Sequence, residues 1–360
     1  MKAILSRRLA ELPASRAQWN ALVAAMPGST IFQTYEWFEC WWNAFGHDKE
    51  LFVITLWDGA ALSAVAPLMI VRRLGLRQLE FVGSPNGDYQ NFVLGSDPDR
   101  VLVSLATFLR DSRREWDALV LRNLPMDSIT YRRFPGLLAS LGINSTDLEQ
   151  ERVACPTIMV SSRPAETRQI LQRYSMRRRI KALQQAGDVT FRRCTTHQEI
   201  DRELPRFFAQ YVERRRGTAA AASFMRPEVT AFYSSLAHAL LTNGWLHFSV
   251  LECGGRPAAF HLGFEYGGRL YWYKPSFDPA LSRLSPGKVL LSHLVRDALE
   301  RGLNELDFTV GAEAFKYRFA DTQRTNANVR AFASAWLYHS FRGMARARQL
   351  LGRLRRRLHR

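Results

Sequence analysis

The stretch "LSRLSPGKVLLSHLVRDALERG" (residues 281–302) decides how the chain folds. Leu290, Leu291, Leu294, Val295, Ala298 and Leu299 recur at helical spacing, so a helix is expected. Ser285 is a suitable N-cap, and Pro286 suits the first helical position, where no amide proton is needed. Gly302 is the expected stop. Gly287 is the unusual residue. In a first helical turn glycine costs up to ~1 kcal/mol against alanine. A bare backbone there, with Lys288 beside it, suits a phosphate that approaches the helix N-terminus closely. An ordinary capped helix with an incidental glycine accounts for the same letters.

Three strands are expected before this helix: "WLHFSVLE" (245–252), "PAAFHLGFEY" (257–266) and "RLYWYKP" (269–275). Gly254-Gly255 and Gly267-Gly268 lie in the connections, which predicts an antiparallel meander. "NELDFTVG" (304–311) is the next strand, and a strand reached through a helix is expected to be parallel. A ligand at the helix N-terminus would then sit where the sheet changes connectivity, a common place for a binding crevice. Upstream lie one helix over 164–187, a strand over 188–194, and helices over 196–217 and 226–244. The first half echoes this order. Residues 51–83 read as three strands, 100–116 as a helix and 117–125 as a strand, without an S-P-G-K turn. The chain is therefore read as α/β with two similar domains, 1–155 and 156–340, and a basic tail, 341–360.

The length of 360 residues fits two domains, and 47% hydrophobic with 23% charged residues excludes a disordered chain. The best apolar run, "AALSAVAPLMIV" (60–71), is too short to span a membrane and contains Pro67. The first thirteen residues lack the apolar core of a signal peptide, so a cytoplasmic protein is expected. Cys40, Cys155, Cys194 and Cys253 are scattered and no H-x-x-x-H occurs, so reduced thiols and no metal are expected. The net charge is +17, and the tail "FRGMARARQLLGRLRRRLHR" holds eight arginines and no acid. With its leucines it can form a basic helix lying on an anionic membrane surface; a solvated terminus is the simpler account. No aromatic residues interleave with these arginines, so no specific nucleic acid is expected.

Group transfer between small molecules needs a base for the acceptor, stabilisation of developing negative charge and a proton for the leaving group. "DFTVGAEAFKYRF" (307–319) concentrates suitable groups after a strand. Asp307 or Glu313 can act as base if burial raises its pKa, and Lys316 and Arg318 can hold an anion; structural ion pairs are the alternative. His261 is a further catalytic candidate, set against a core histidine. Tyr273 can supply a proton to a leaving group or simply pack. Trp37 can face a sugar ring or the core. Asp88 and Tyr89 follow a turn-rich segment and are candidate substrate contacts, with turn capping as the plainer reading. The run "RYSMRRRIKAL" (173–183) presents charge to an anionic acceptor or carrier, or to solvent.

Three stretches, "FQTYEWFECWWNAFG" (32–46), "FDPALSRLSPGKVLLSHLV" (277–295) and "LDFTVGAEAFKYRFA" (306–320), together resemble the GNAT superfamily of acyl-CoA N-acyltransferases. More specifically they resemble its BioF2-like acetyltransferases, a group linked to cellulose and exopolysaccharide synthesis. "RRRIKALQQAGDVTF" (177–191) is similar to the FemAB peptidyltransferases, which pair two such domains. The resemblance covers nearly the whole chain. It implies two tandem GNAT-like domains, each a mixed, mostly antiparallel sheet flanked by helices, the first without a phosphate turn. It implies acetyl-CoA or another acyl-CoA as co-substrate, its pyrophosphate held by Arg283, Ser285, Pro286, Gly287 and Lys288. The family signature is Q/R-x-x-G-x-G/A; here Arg283 to Lys288 keeps a single glycine. The implied acceptor is a small molecule or saccharide in envelope biosynthesis. The alternatives are a FemAB-like transferase using aminoacyl-tRNA and a non-catalytic scaffold at the membrane.

Overall fold

The structure is a computed structural model that describes residues 1–358, with side chains as far as residue 347. Most side chains of the basic tail lie outside the described residues. Two compact units emerge: Met1–Gly28, Asp48–Arg152 and Asn326–Arg360 form one, Ser29–His47 and Val153–Thr325 the other. The sequence leads to a single boundary near 155; the units instead exchange segments on both sides of it.

The chain opens with β1 (Lys2–Ser6) and α1 (Arg16–Ala25), and α2 (Tyr35–Phe45) then joins the second unit. The first unit continues with β2 (Glu50–Asp58), β3 (Ala61–Arg73), β4 (Leu76–Phe81), β5 (Val93–Leu94) and α3 (Pro98–Asp111). It then adds β6 (Ala118–Pro125), α4 (Ile129–Ser140) and β7 (Asn144–Asp147). The second unit resumes with β8 (Val153–Met159), α5 (Pro164–Gln172), α6 (Tyr174–Ala186), β9 (Val189–Arg193), α7 (His197–Arg214), α8 (Ala219–Phe224) and α9 (Pro227–Thr242). Then come β10 (Leu246–Cys253), β11 (Arg256–Tyr266), β12 (Arg269–Phe277), α10 (Pro286–Glu300) and β13 (Glu305–Asp307). β14 (Thr322–Phe332) and α11 (Ala335–Leu358) end the chain.

Each unit has the same plan. In the first, β1, β2, β3 and β4 pair antiparallel in turn, α3 crosses over, and β6 lies parallel to β4. In the second, β9, β10, β11 and β12 pair antiparallel, α10 crosses over, and β13 lies parallel to β12. The expected meander and parallel crossover are thus present twice, as mixed, mostly antiparallel sheets flanked by helices. Val289, Leu290, Leu291, Leu294, Val295 and Ala298 of α10 are buried in one cluster with Ala259, Leu270 and Trp272 of the sheet. Burying each leucine contributes about 1.5–3 kcal/mol, enough to hold the helix N-terminus in place.

Two elements differ from expectation, and both shape the site. The single helix over 164–187 is broken: Arg173, at φ −53° and ψ 132°, separates α5 from α6. The strand over 304–311 is cut to three residues. Thr309 adopts a left-handed φ of 56°, rare for a β-branched residue, and its N–H is taken by Asp307 Oδ1 at 2.7 Å.

Candidate functional site

α10 begins as its sequence directs, with Pro286 buried at the first position. Ser285 differs from the expected cap. It lies in the left-handed region (φ 56°, ψ 48°), its hydroxyl makes no capping bond, and its carbonyl accepts from the Lys288 N–H at 2.9 Å. Gly287 has a packing reason. A Cβ there would meet the Phe277 ring at 3.3 Å, with nothing else but that ring within 4 Å.

β12 and β13 stay together only from Arg269↔Glu305 to Tyr271↔Asp307. β12 then continues to Phe277 paired with β11 only, its other edge left by β13. A bulge marks the point of separation: Leu262 faces Lys274 and Phe264 faces Tyr271, so Trp272 and Tyr273 share one partner position. The two parallel strands therefore splay on the side where α10 starts.

A cavity of about 320 Å³ opens at this helix start, lined by Ile170, Arg173, Ser175, Met176, Arg179, Lys288, Arg318 and Phe319. Arg173 donates to the Arg318 carbonyl, and Arg179 Nη1 to the Ser175 carbonyl at 2.9 Å. Among the described residues no carboxylate neutralises Arg173, Arg179, Lys288 or Arg318. Burial holds the Lys288 ammonium below its usual value, and repulsion from Arg179 and Arg318 adds to it. Four cations around one concavity favour an anion with several oxygens. Of these lining residues the sequence singled out Lys288 and Arg318. Arg173 and Arg179 lay within the noted run 173–183, but only the break at Arg173 turns that run around a cavity.

The other candidates are placed as follows. Asp307 is buried, and its Oδ2 lies 3.5 Å from Arg324 while its Oδ1 holds the Thr309 N–H. It is a structural ion pair that fixes the loop, not a free base. Glu313 is exposed and pairs with Lys316 at 2.9 Å. Lys316 is buried and also donates to the Val310 carbonyl at 2.9 Å, so it does not face a substrate. Gly311, at φ +122°, permits this arrangement, because a Cβ there would stand 2.4 Å from Glu313 Oε2. His261 is wholly buried, bonds the Tyr271 carbonyl through Nε2 at 3.1 Å and stacks on Trp272. Burial, then His247, hold its pKa well below the usual value, so it is a neutral core histidine. Trp37 is also core, edge-on to Phe32, Phe232, Phe264 and Tyr273, and offers no face to a sugar. Asp88 and Tyr89 are buried in the first unit, where the Asp88 carbonyl accepts from Asn326 Nδ2 at 2.8 Å. Arg283 is exposed and outside the cavity lining. Tyr273 alone of the catalytic candidates stands on the stretch of β12 that β13 has left, with its hydroxyl 3.3 Å from that of Tyr233. Among the described residues, no group of three or more His, Cys, Asp or Glu is arranged to hold a metal ion.

Residues 171–317, which take in α6, α10 and the splayed strands, match the Acetyltransferase (GNAT) domain family. By this match these residues, rather than the whole chain, have the GNAT acyltransferase fold. The whole chain is similar in fold to FemX, with a TM-score of 0.64 at 11% identity, covering 95% of this chain and 99% of that one. It is also similar to the C-terminal domain of a protein assigned as a lysylphosphatidylglycerol synthetase in Agrobacterium fabrum (TM-score 0.54, 11% identity, 89% and 91% covered). A protein of unknown function from Bacteroides thetaiotaomicron gives 0.54 at 12% identity, with 89% and 98% covered. At these identities the likeness is one of fold. No curated protein matches the sequence. The cavity takes in Lys288 at the start of α10, and the neighbouring Gly287 lies against Phe277 at the end of β12.

Proposed function

We propose that the GNAT domain transfers an acyl group from acyl-CoA, with acetyl-CoA the first choice, to an amine or hydroxyl. The observation that carries this reading is the uncompensated cationic cavity at the start of α10. Its Arg173, Arg179, Lys288 and Arg318 suit the phosphates of the donor. The edge of β12 that β13 has left would run beside the pantetheine arm and bring the thioester toward the bulge. There the acceptor attacks the carbonyl carbon, the carbon–sulfur bond breaks, and the thiolate takes a proton. Tyr273, backed by Tyr233, is the proposed donor of that proton. Asp307 and Glu313 are committed elsewhere, so the acceptor's proton would leave through water. The resemblance to BioF2-like proteins supports a saccharide acceptor in envelope synthesis. The first domain, 1–155 in that reading, has no S-P-G-K turn and would serve as a scaffold.

A FemAB-like transfer from aminoacyl-tRNA is the rival, because Arg177 and Arg178 carry exposed charge beyond the cavity. Calorimetry separates the two. Acetyl-CoA should bind the wild type, and Lys288→Gln and Arg179→Gln should each weaken it about tenfold or more, as loss of a charge-assisted bond implies. Unchanged affinity in both variants sinks the assignment, and binding of tRNA without acetyl-CoA favours the rival.

A further inference from the structure

A second group of cations lies outside the cavity. α7 ends in Arg214, followed by Arg215 and Arg216. Arg216 pairs with Glu213. Among the described residues no carboxylate contacts Arg214 or Arg215. Arg192, Arg269 and Arg324, also partly buried in this unit, are compensated: Arg192 by Glu203 and Glu252, Arg269 by Glu305, and Arg324 by Glu305 and Asp307. Arg214 instead donates from Nη1 to the Pro275 carbonyl at 2.7 Å and lies 4.3 Å over the Phe277 ring. Arg215 lies 4.9 Å over the Tyr211 ring, and its buried Nε has no partner among the described residues. Burial, with Arg215 beside it, draws the Arg214 pKa down to about 10.

The position of Arg214 is informative. Pro275 and Phe277 belong to the stretch of β12 that has left β13. Phe277 has Arg214 on its ring, and its Cδ1 is the atom a Cβ at Gly287 would meet. Arg214 therefore stands by the same splayed strand as the proposed donor path, with Arg215 next to it in sequence, and neither lines the cavity. Holding a guanidinium partly out of water without a counter-charge is unfavourable, and a planar fork of donors best satisfies a carboxylate or phosphate.

We propose that Arg214 and Arg215 form a second anion site, which holds a carboxylate or phosphate of the acyl acceptor. This rests on the acyl-transfer reading above and narrows the acceptor to an anionic molecule.

The test uses the full-length protein with inorganic phosphate and with acetate as probes, at constant ionic strength. Binding is read as the ligand-dependent shift in melting temperature, so an altered baseline stability does not obscure it. Arg214→Gln and Arg215→Gln should each weaken one phase of anion binding about tenfold or more while leaving acetyl-CoA affinity within twofold. Lys288→Gln with Arg318→Gln should remove a different phase, and the two losses should add. Response to phosphate alone or acetate alone tells which group the acceptor carries. If both Arg214→Gln and Arg215→Gln keep the wild-type anion response, the site is wrong. If they lose acetyl-CoA affinity instead, the arginines belong to the donor and the proposal is overturned. Loss of acetyl-CoA binding in neither the cavity variants nor these ones overturns the donor assignment, while an anion phase lost only in Arg214→Gln and Arg215→Gln still upholds the second site.

Discussion

A Cβ at Gly287 would stand 3.3 Å from Cδ1 of Phe277 and 4.0 Å from its Cγ. The residue is helical, so an alanine there gains up to ~1 kcal/mol of propensity. The close ring offsets much of that gain. Valine cannot be placed without moving Phe277, on which Arg214 also rests. Overpacking of this kind costs typically about 1–3 kcal/mol. Gly287→Ala should therefore be near neutral, and Gly287→Val should lower the unfolding free energy, read from urea denaturation, by an amount in that range. Acetyl-CoA affinity should fall with it only as far as the ring is displaced. A Gly287→Val protein of wild-type stability that has lost acetyl-CoA binding would restore direct phosphate approach as the reason for the glycine. The residue was legible as unusual from sequence. Its neighbour Phe277, ten positions earlier, was not, because a ring packing against a helix start leaves no periodic trace.

At the scale of elements, α10 and the meander were legible because their signals are local: periodic leucines, Pro286 at the helix start, and glycine doublets at the hairpins. The break between α5 and α6 was not. It falls at Arg173, with no glycine or proline to announce it, and it is fixed by a bond to the distant Arg318 carbonyl. The shortening of β13 was hidden for the same reason, since Thr309 favours strands and turns left-handed only against the Asp307 carboxylate. The layer between β10, β11 and α10 carries a testable pH dependence. Burial depresses the pKa values of His247 and His261, and takes His293, stacked on Phe191, to about 4. An unfolded histidine titrates near about 6.5, so below that the unfolded chain binds more protons than the folded one. Stability present above that pH is then lost on acidification. Each histidine still neutral in the fold adds a slope of up to about 1.4 kcal/mol per pH unit. The share of His293 ends near its folded value of about 4. His293→Gln should flatten the dependence between about pH 6.5 and 4 by close to one proton, read from urea midpoints across that range. Equal slopes in the two proteins would show that His293 does not titrate this way.

At the scale of the whole molecule, the repeat of strand order was legible but the exchange of segments was not. A 1–155 and 156–340 division follows chain order, whereas Ser29–His47 packs with Val153–Thr325. The segment carries aromatic residues into that unit's core. Trp37 has no exposed surface and lies 5.5 Å from Phe232, 5.9 Å from Phe264 and 5.9 Å from Tyr273. Phe32 lies 6.1 Å from Tyr271, and Phe45 5.4 Å from Phe232. Truncating one such side chain to alanine costs about 3–5 kcal/mol, and a folded domain has only about 5–15 kcal/mol in all. Removing three together costs about as much as a whole domain's stability. A fragment spanning 153–325 alone should therefore lack a cooperative thermal transition and bind a hydrophobic dye. Joining 29–47 to it through a flexible linker should restore a single transition, because the linked helix regains its place at high effective concentration. The comparison needs only circular dichroism melts of the two proteins. A lone 153–325 fragment that melts cooperatively at the temperature of the linked form would mean that α2 is an ornament on this unit rather than part of its core.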